Sequence, residues 1–469
     1  MKKKNLLCKF DYSHTIKTQK VFMFYNIIQN KGKFKEYPTS SLFLLSQLHV
    51  YTQSLLCELE THLDHRFVKT FFDLLAAILI NRNSKMTLLL SELGGYIAGF
   101  RHAPAGTKRI SNLLRCDKWQ HTLIDQWLFD RMIKNCKEML LKGNRPLFIW
   151  DDSVVEKHES RLLQGLCSVF SSKGQRLTKI RRGFYQPPKG RICVPGFKWR
   201  GMIVSHLNAI PQVGAMTWWT TRGKFKSPEN ENLLYCTLRD VYKHLGRIGL
   251  HILDRGFATI NTLQLFADMK QDLLVRWRTG FYLTHEEKGR KKTHLLARSF
   301  KGKGRKIIQD KERKITRHIS IAFTKVQRQE VENQSYTLII IRDVNGKFKP
   351  IYLLTSLEIM DIKTAWEMCF SYMHRWEIEQ SFRFIKSELG LESARLWFFE
   401  NRLKLMAVAT LVYDFILRML RGFWDSCQAI LTRWCHRTGS RYRQASIPAY
   451  RIRAAFANAL CCFVFANSS

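Results

Sequence analysis

Leu147-Phe148-Ile149-Trp150-Asp151-Asp152-Ser153 is the stretch that decides how the chain reads. Four consecutive apolar residues after Pro146 are too few for a buried helix and suit a strand with both faces covered. That strand empties into two carboxylates and a hydroxyl, so it predicts a sheet edge bearing polar chemistry. Downstream, Met202-Ile203-Val204 and Ala215 to Trp219 read as further strands, Asn230 to Leu245 as a helix, and Gly249 to Leu253 as a strand ending at Asp254-Arg255-Gly256-Phe257. A helix over Thr259 to Met269 and a strand over Leu273 to Trp277 follow. Three strands, helix, strand, helix, strand is the order of a mixed α/β sheet.

On either side of this unit the pattern changes. From Ser40 to Lys142 apolar residues recur at three and four (Leu42, Leu45, Leu48; Phe71, Leu74, Leu75, Ile78), which predicts helices. Pro104 and Gly106 are expected to interrupt them, leaving a basic helix over Thr107 to Arg115 that suits a DNA groove. Strands are expected at Ile319 to Thr324, Tyr336 to Ile341 and Ile351 to Thr355, with Asn345-Gly346 turning the last two into a hairpin. Helices resume at Asp361, and Leu405 to Leu417 reads as a buried core helix, too short and too interrupted by Asp414 to span a bilayer.

The charge balance points to a polyanionic partner. Of 469 residues, 77 are Lys or Arg and 38 are Asp or Glu, a formal charge of +39 whose self-repulsion opposes compaction. Between Glu159 and Glu229 there is no acidic residue, while Lys173 to Arg200 is crowded with cations; Lys288 to Arg317 is a second basic run. Aromatic residues lie among them (Phe184, Tyr185, Phe197, Trp199, Phe281, Tyr282, Phe300), as phosphate contact with base stacking requires. One of Phe281, Tyr282 or Phe300 is a candidate to stack on an unpaired base. Either run alone also fits a solvated loop. The 12 cysteines form no C-x-x-C pair, which excludes a zinc finger and fits free thiols in a reducing compartment. A secretory leader is not expected after Met1-Lys2-Lys3-Lys4, because Lys9 and Asp11 break the apolar stretch.

Around Trp376, Tyr372, Arg375, Glu379 and Lys386 fall at roughly 0, −60, −20 and −40° on a helix advancing about 100° per residue. One stripe of tyrosine, arginine, glutamate and lysine could grip consecutive phosphates. It also fits an amphipathic helix with a solvated face and an Arg–Glu pair at i, i+4.

Tyr372-x2-Arg375-x3-Glu379-x6-Lys386 resembles the Y-R-E-K signature of the insertion sequence 4 transposases. Asp254-Arg255-Gly256-Phe257 is similar to their second motif, D-x-G-F, and Asp151-Asp152-Ser153 to their first, with Ser153 in place of the more usual Thr. The resemblance runs from about Leu147 to Leu420. It implies a ribonuclease-H-like core in which Asp151, Asp254 and Glu379 are the catalytic, metal-binding triad, with Asp152 the alternative first carboxylate. Tyr372, Arg375 and Lys386 would contact DNA backbone phosphates. It further implies two Mg²⁺ ions (Mn²⁺ can substitute), double-stranded DNA as substrate, a homodimer that synapses two ends, and a cytoplasmic, nucleoid-associated place of action with no membrane. The domain plan so implied is a basic arm (1–39), a helical DNA-binding domain (40–142), the first part of the core (143–278), a β-rich insertion (279–358), the second part with the Glu helix (359–424), and a C-terminal region (425–469). A nuclease or resolvase of the same fold, and a domesticated, non-catalytic DNA-binding protein, are the rival readings.

Overall fold

The structure is a computed structural model that describes residues 38–82, 86–160, 162–188, 190–207, 209–226, 230–310, 315–331, 334–435 and 449–466. Most of the basic arm lies outside the described residues, as do parts of the C-terminal region and of both basic runs. The described residues form a mixed α/β structure built on one twelve-stranded sheet.

Among the described residues five helices come first: α1 (Pro38–Glu60), α2 (His65–Ile80), α3 (Leu90–Ala98), α4 (Ala103–Arg115) and α5 (His121–Leu141). The expected break before the basic helix is present but falls at Gly99–His102, and Pro104 and Gly106 lie inside α4 rather than ahead of it. Pro104 sits in the first turn of α4, where its missing N–H costs nothing. Gly106 lets α4 cross α3: a Cβ there would lie 2.1 Å from the Gly94 carbonyl oxygen. The exposed face of α4 nonetheless carries Lys108, Asn112 and Arg115.

The sheet begins with β1 (Leu147–Glu156), β2 (Cys167–Phe170), β3 (Cys193–Ser205) and β4 (Gln212–Trp219). Then come α6 (Asn230–Leu245), β5 (Leu250–Leu253), α7 (Ile260–Asp268) and β6 (Leu273–Arg276). Strand β3 runs antiparallel to β1, and its outer edge is shared end to end by β2 and β4. On the other side β1, β5 and β6 are parallel neighbours. Side chains alternate along β1: Leu147, Ile149 and Val155 enter the core shared with the N-terminal helices, while Phe148 and Trp150 enter the core under α6 and α7. Asp151 therefore continues the first face and Asp152 the second.

The remaining strands are β7 (Tyr282–His285), β8 (Gly289–Lys292), β9 (Gly304–Asp310), β10 (Ile315–Gln327), β11 (Ser335–Asp343) and β12 (Ile351–Thr355), with α8 (Thr293–Arg298) between β8 and β9. They prolong the same sheet, since β12 pairs antiparallel with β6. The β11–β12 connection turns as expected at Asn345-Gly346, with Gly346 at φ 68 and its N–H on the Asp343 carbonyl.

Next come α9 (Ile362–Met373), α10 (Arg375–Arg383), α11 (Phe399–Gly422), α12 (Trp424–Trp434) and α13 (Ala449–Ala466). From Arg402 to Leu417 every residue of α11 is buried, as its apolar run predicts. The five N-terminal helices share one hydrophobic core with α11 and α13. Several polar contacts pin this union, among them Tyr51 Oη donating to Asp414 Oδ2 at 2.8 Å and Ser41 Oγ donating to the Ala459 carbonyl at 2.8 Å. Among the described residues no helix is long and apolar enough to cross a membrane.

Three residues before Asp254, His251 is wholly buried between β1 and α7. Trp150 Nε1 donates to its Nδ1 at 3.0 Å, so Nε2 carries the proton and donates to Gln271 Oε1 at 3.2 Å. Burial pushes this imidazole down from 6.5 to about 4. Protons then bind more tightly to the unfolded chain, so the stabilisation is complete above pH 6.5 and is lost as pH falls toward 4. At about 1.4 kcal/mol per pKa unit the loss approaches ~3 kcal/mol. Urea midpoints measured between pH 7 and pH 4 should show this decline in the wild type and less of it in His251→Gln.

Candidate active site

Asp151 emerges near the middle of β1 and Asp254 directly after β5, on parallel neighbours whose register sets Trp150 beside Leu253. Glu379 comes from α10, which packs on the same face of the sheet as Asp151. The three carboxylates converge on one guanidinium. Arg375 Nη1 lies 2.6 Å from Glu379 Oε1 and 3.9 Å from Asp151 Oδ2, and its Nε lies 3.7 Å from Asp254 Oδ1. Burial pushes the Asp151 carboxyl up to about 7; repulsion from Asp254 and Glu379 adds to this, while the Asp152 N–H and Arg375 oppose it. Burial disfavours the Arg375 charge, but Tyr372, Glu379 and Asp254 outweigh it and hold the group firmly protonated.

Asp152 faces away from this cluster. Arg200 grips it with both fork positions, Nε to Oδ1 and Nη2 to Oδ2, each at 2.8 Å. The two residues are directly opposed in the β1–β3 register, a pairing that no local sequence pattern reveals. Alternation along β1 brings Ser153 back to the face of Asp151, where Lys386 Nζ donates to Ser153 Oγ at 2.6 Å.

The Tyr372–Lys386 stripe is not one regular helix. Helices α9 and α10 are divided at His374, where tighter i→i+3 bonds replace the α-helical ones: His374 N–H to the Ser371 carbonyl and Glu377 N–H to the His374 carbonyl. The His374 ring also meets Glu377 Oε1 at 2.7 Å. Beyond Arg383 a π-turn over Phe384–Glu388 widens the helix and carries Lys386 to β1. Tyr372 is buried, its hydroxyl meets no hydrogen-bond partner of good geometry among the described residues, and Arg375 lies 5.8 Å from its ring. Burial pushes that phenol up and the Lys386 ammonium down. Arg375 and Glu379 thus share one cluster with the two aspartates, while Tyr372 lies beneath it and Lys386 beside it.

Among the described residues no group of three or more His, Cys, Asp or Glu side chains is arranged as a ready metal site. Arg375 stands between the three carboxylates instead. The donor set fits a hard divalent cation even so, because all three are carboxylates directed at one positive charge.

Both basic runs present cations at the surface, the second of them at the end of the sheet remote from β1. Lys173, Arg176, Lys179, Arg181 and Arg182 are exposed on the loop between β2 and β3, and every residue of β8 is exposed. Of the three candidate stacking aromatics, Phe281 and Phe300 are partly buried against the core under α6 and α7. Tyr282 is 42% exposed, with Arg290 and Lys292 lying 5.0 and 5.8 Å from its ring.

No protein-family model matches the chain, and no curated protein does.

Proposed function

We propose that the protein is a DNA transposase of the insertion sequence 4 type, acting on the terminal inverted repeats of its own element through Asp151, Asp254 and Glu379. The observation that carries this reading is the convergence of those carboxylates, from two parallel strands and one helix, on a single cationic position. The strand order β4-β3-β1-β5-β6, an antiparallel meander followed by two parallel strands, supports a ribonuclease-H-like core. Asp151, rather than Asp152, is the first carboxylate of the set, because the Asp152 oxygens are engaged by Arg200.

In this reading the triad holds divalent metal, two Mg²⁺ or Mn²⁺ ions. Bound there, such ions lower the pKa of an attacking oxygen and neutralise charge on the leaving one. Cleavage forms a bond from water oxygen to phosphorus as the bond to the 3′-oxygen breaks, leaving a 3′-hydroxyl. In joining, that hydroxyl attacks a target phosphodiester, whose own 3′-oxygen leaves. Arg375 is within reach of a phosphate at the cluster, and Lys386 next to Ser153 extends the positive track; Tyr372 underlies both. The exposed cations between β2 and β3 hold the flanking duplex, and two copies of the chain synapse the two ends.

The test is incubation of the full chain with DNA carrying the ends of its own gene. The reading expects a nick at a fixed position that requires Mg²⁺ or Mn²⁺. Equal nicking in EDTA, or cutting with no positional preference, would contradict it.

A further inference from the structure

Far from Asp151, where β1 begins and β4 enters the sheet, lies a cleft of about 800 Å³. The C-terminal half of α5 and the last turns of α11 wall it. Its lining cations are Arg131, Lys134 and Lys142 from α5 and its cap, with Arg418 and Arg421 from α11, against the single carboxylate Glu138. Asp151 lies four residue steps along the strand from Leu147, roughly 13 Å at about 3.3 Å per residue, so this cleft and the carboxylate cluster are distinct places.

The charges in the cleft are poorly compensated. Arg131 Nε and Arg418 Nη1 are buried with no protein partner among the described residues. Both guanidinium groups are gathered at one ring, 4.7 and 5.4 Å from the Tyr51 centroid. Asp414, whose charge reaches Arg418 and Arg421, is committed elsewhere: Tyr51 Oη donates to one oxygen and the Val213 N–H to the other. Cations complementing helix C-termini would account for Lys142 and Arg421. They do not account for Arg131 and Lys134, which lie about two turns or more before the end of α5. Unpaired buried donors beside crowded like charges call for an anion with several acceptor oxygens. Trp424 also lines the cleft and is 40% exposed, offering a flat face.

We propose that this cleft is a second phosphate site, binding a phosphate group with its attached base, from a nucleic-acid strand or a free nucleotide. Arg131 and Arg418 are the buried donors, Lys134 and Lys142 guard the mouth, and Trp424 stacks on the base. The site lies outside the carboxylate cluster and does not depend on phosphoryl transfer there.

Lysine acetylation of the full-length protein, read by mass spectrometry at constant ionic strength, tests this. Lys134 and Lys142 are both exposed. Their modification should slow several-fold when a single-stranded oligonucleotide or a nucleoside monophosphate is added. Protection by the oligonucleotide assigns the site to a strand; protection by the mononucleotide alone assigns it to a free nucleotide. Arg131→Gln with Arg418→Gln should abolish the effect. Trp424→Ala, which leaves the arginines in place, should weaken protection by both probes while sparing protection by pyrophosphate. Unchanged acetylation of Lys134 and Lys142 with every probe, or protection that persists in the arginine variant, would overturn the proposal.

Discussion

Asp151→Asn is expected to abolish metal-dependent strand cleavage, whereas Asp152→Asn retains most of it. The adjacent carboxylates differ in one respect that decides this: Asp151 faces Arg375, Asp254 and Glu379, and Asp152 faces Arg200. Loss of a metal ligand costs more than the roughly 10–100-fold that follows loss of a ligand's outer partner, and the Asp152 carboxylate contacts Arg200 rather than any member of the proposed triad. Glu379→Gln belongs with Asp151→Asn, since it keeps the shape of α10 and removes the charge nearest Arg375. All three variants should still bind the DNA ends, because the cationic loop between β2 and β3 is untouched. Rates of nicking and gel-shift affinities, taken together, check the prediction. Loss of cleavage in Asp152→Asn with activity kept in Asp151→Asn would reverse the assignment.

The second large effect is on stability. Asp414 is fully buried in α11, yet it joins three elements: it accepts from Tyr51 Oη of α1 at 2.8 Å and from the Val213 N–H of β4 at 3.0 Å. Asp414→Ala leaves both donors buried and unpaired, at about 1–3 kcal/mol each, and opens a cavity between the helices and the sheet. A loss on the order of 3 kcal/mol or more is expected, together with a lower urea midpoint. Tyr51→Phe should lose less, because it removes a donor and leaves Asp414 with the Val213 N–H. Equal midpoints for wild type and Asp414→Ala would show that the helices and the sheet are not held together through this residue.

Much of the architecture was legible because it is written in apolar residues. Leu147 to Trp150, Gly249 to Leu253 and Leu273 to Trp277 read as strands, since parallel strands covered on both faces need unbroken apolar runs. The same runs end at Asp151 and Asp254, which made both carboxylates visible. Strands β8 and β9 were not legible: Gly289–Lys292 is exposed throughout, and Gly304–Asp310 opens on Gly-Arg-Lys, so neither carries a buried face along its length. Pro104 and Gly106 look like breakers because their local preferences are strong; the close approach of α3 and α4 needs a glycine at Gly106, and that is a tertiary fact. The choice between Asp151 and Asp152 was open for the same reason. It turns on Arg200, which is 48 residues away in sequence and opposite Asp152 only through strand register. Nor does helical phase foretell the break at His374 or the π-turn that takes Lys386 to Ser153, because both depend on tertiary contacts.

In the proposed transposase one carboxylate cluster both cuts a DNA end and joins it to new DNA. The most direct measurement supplies the protein with a pre-cut end and a target plasmid in Mg²⁺, comparing ends that carry a 3′-hydroxyl with ends that are 3′-deoxy. Covalent joining is expected of the 3′-hydroxyl end alone, and is lost in Glu379→Gln. Cleavage without any joining, or joining that survives in Glu379→Gln, would contradict it.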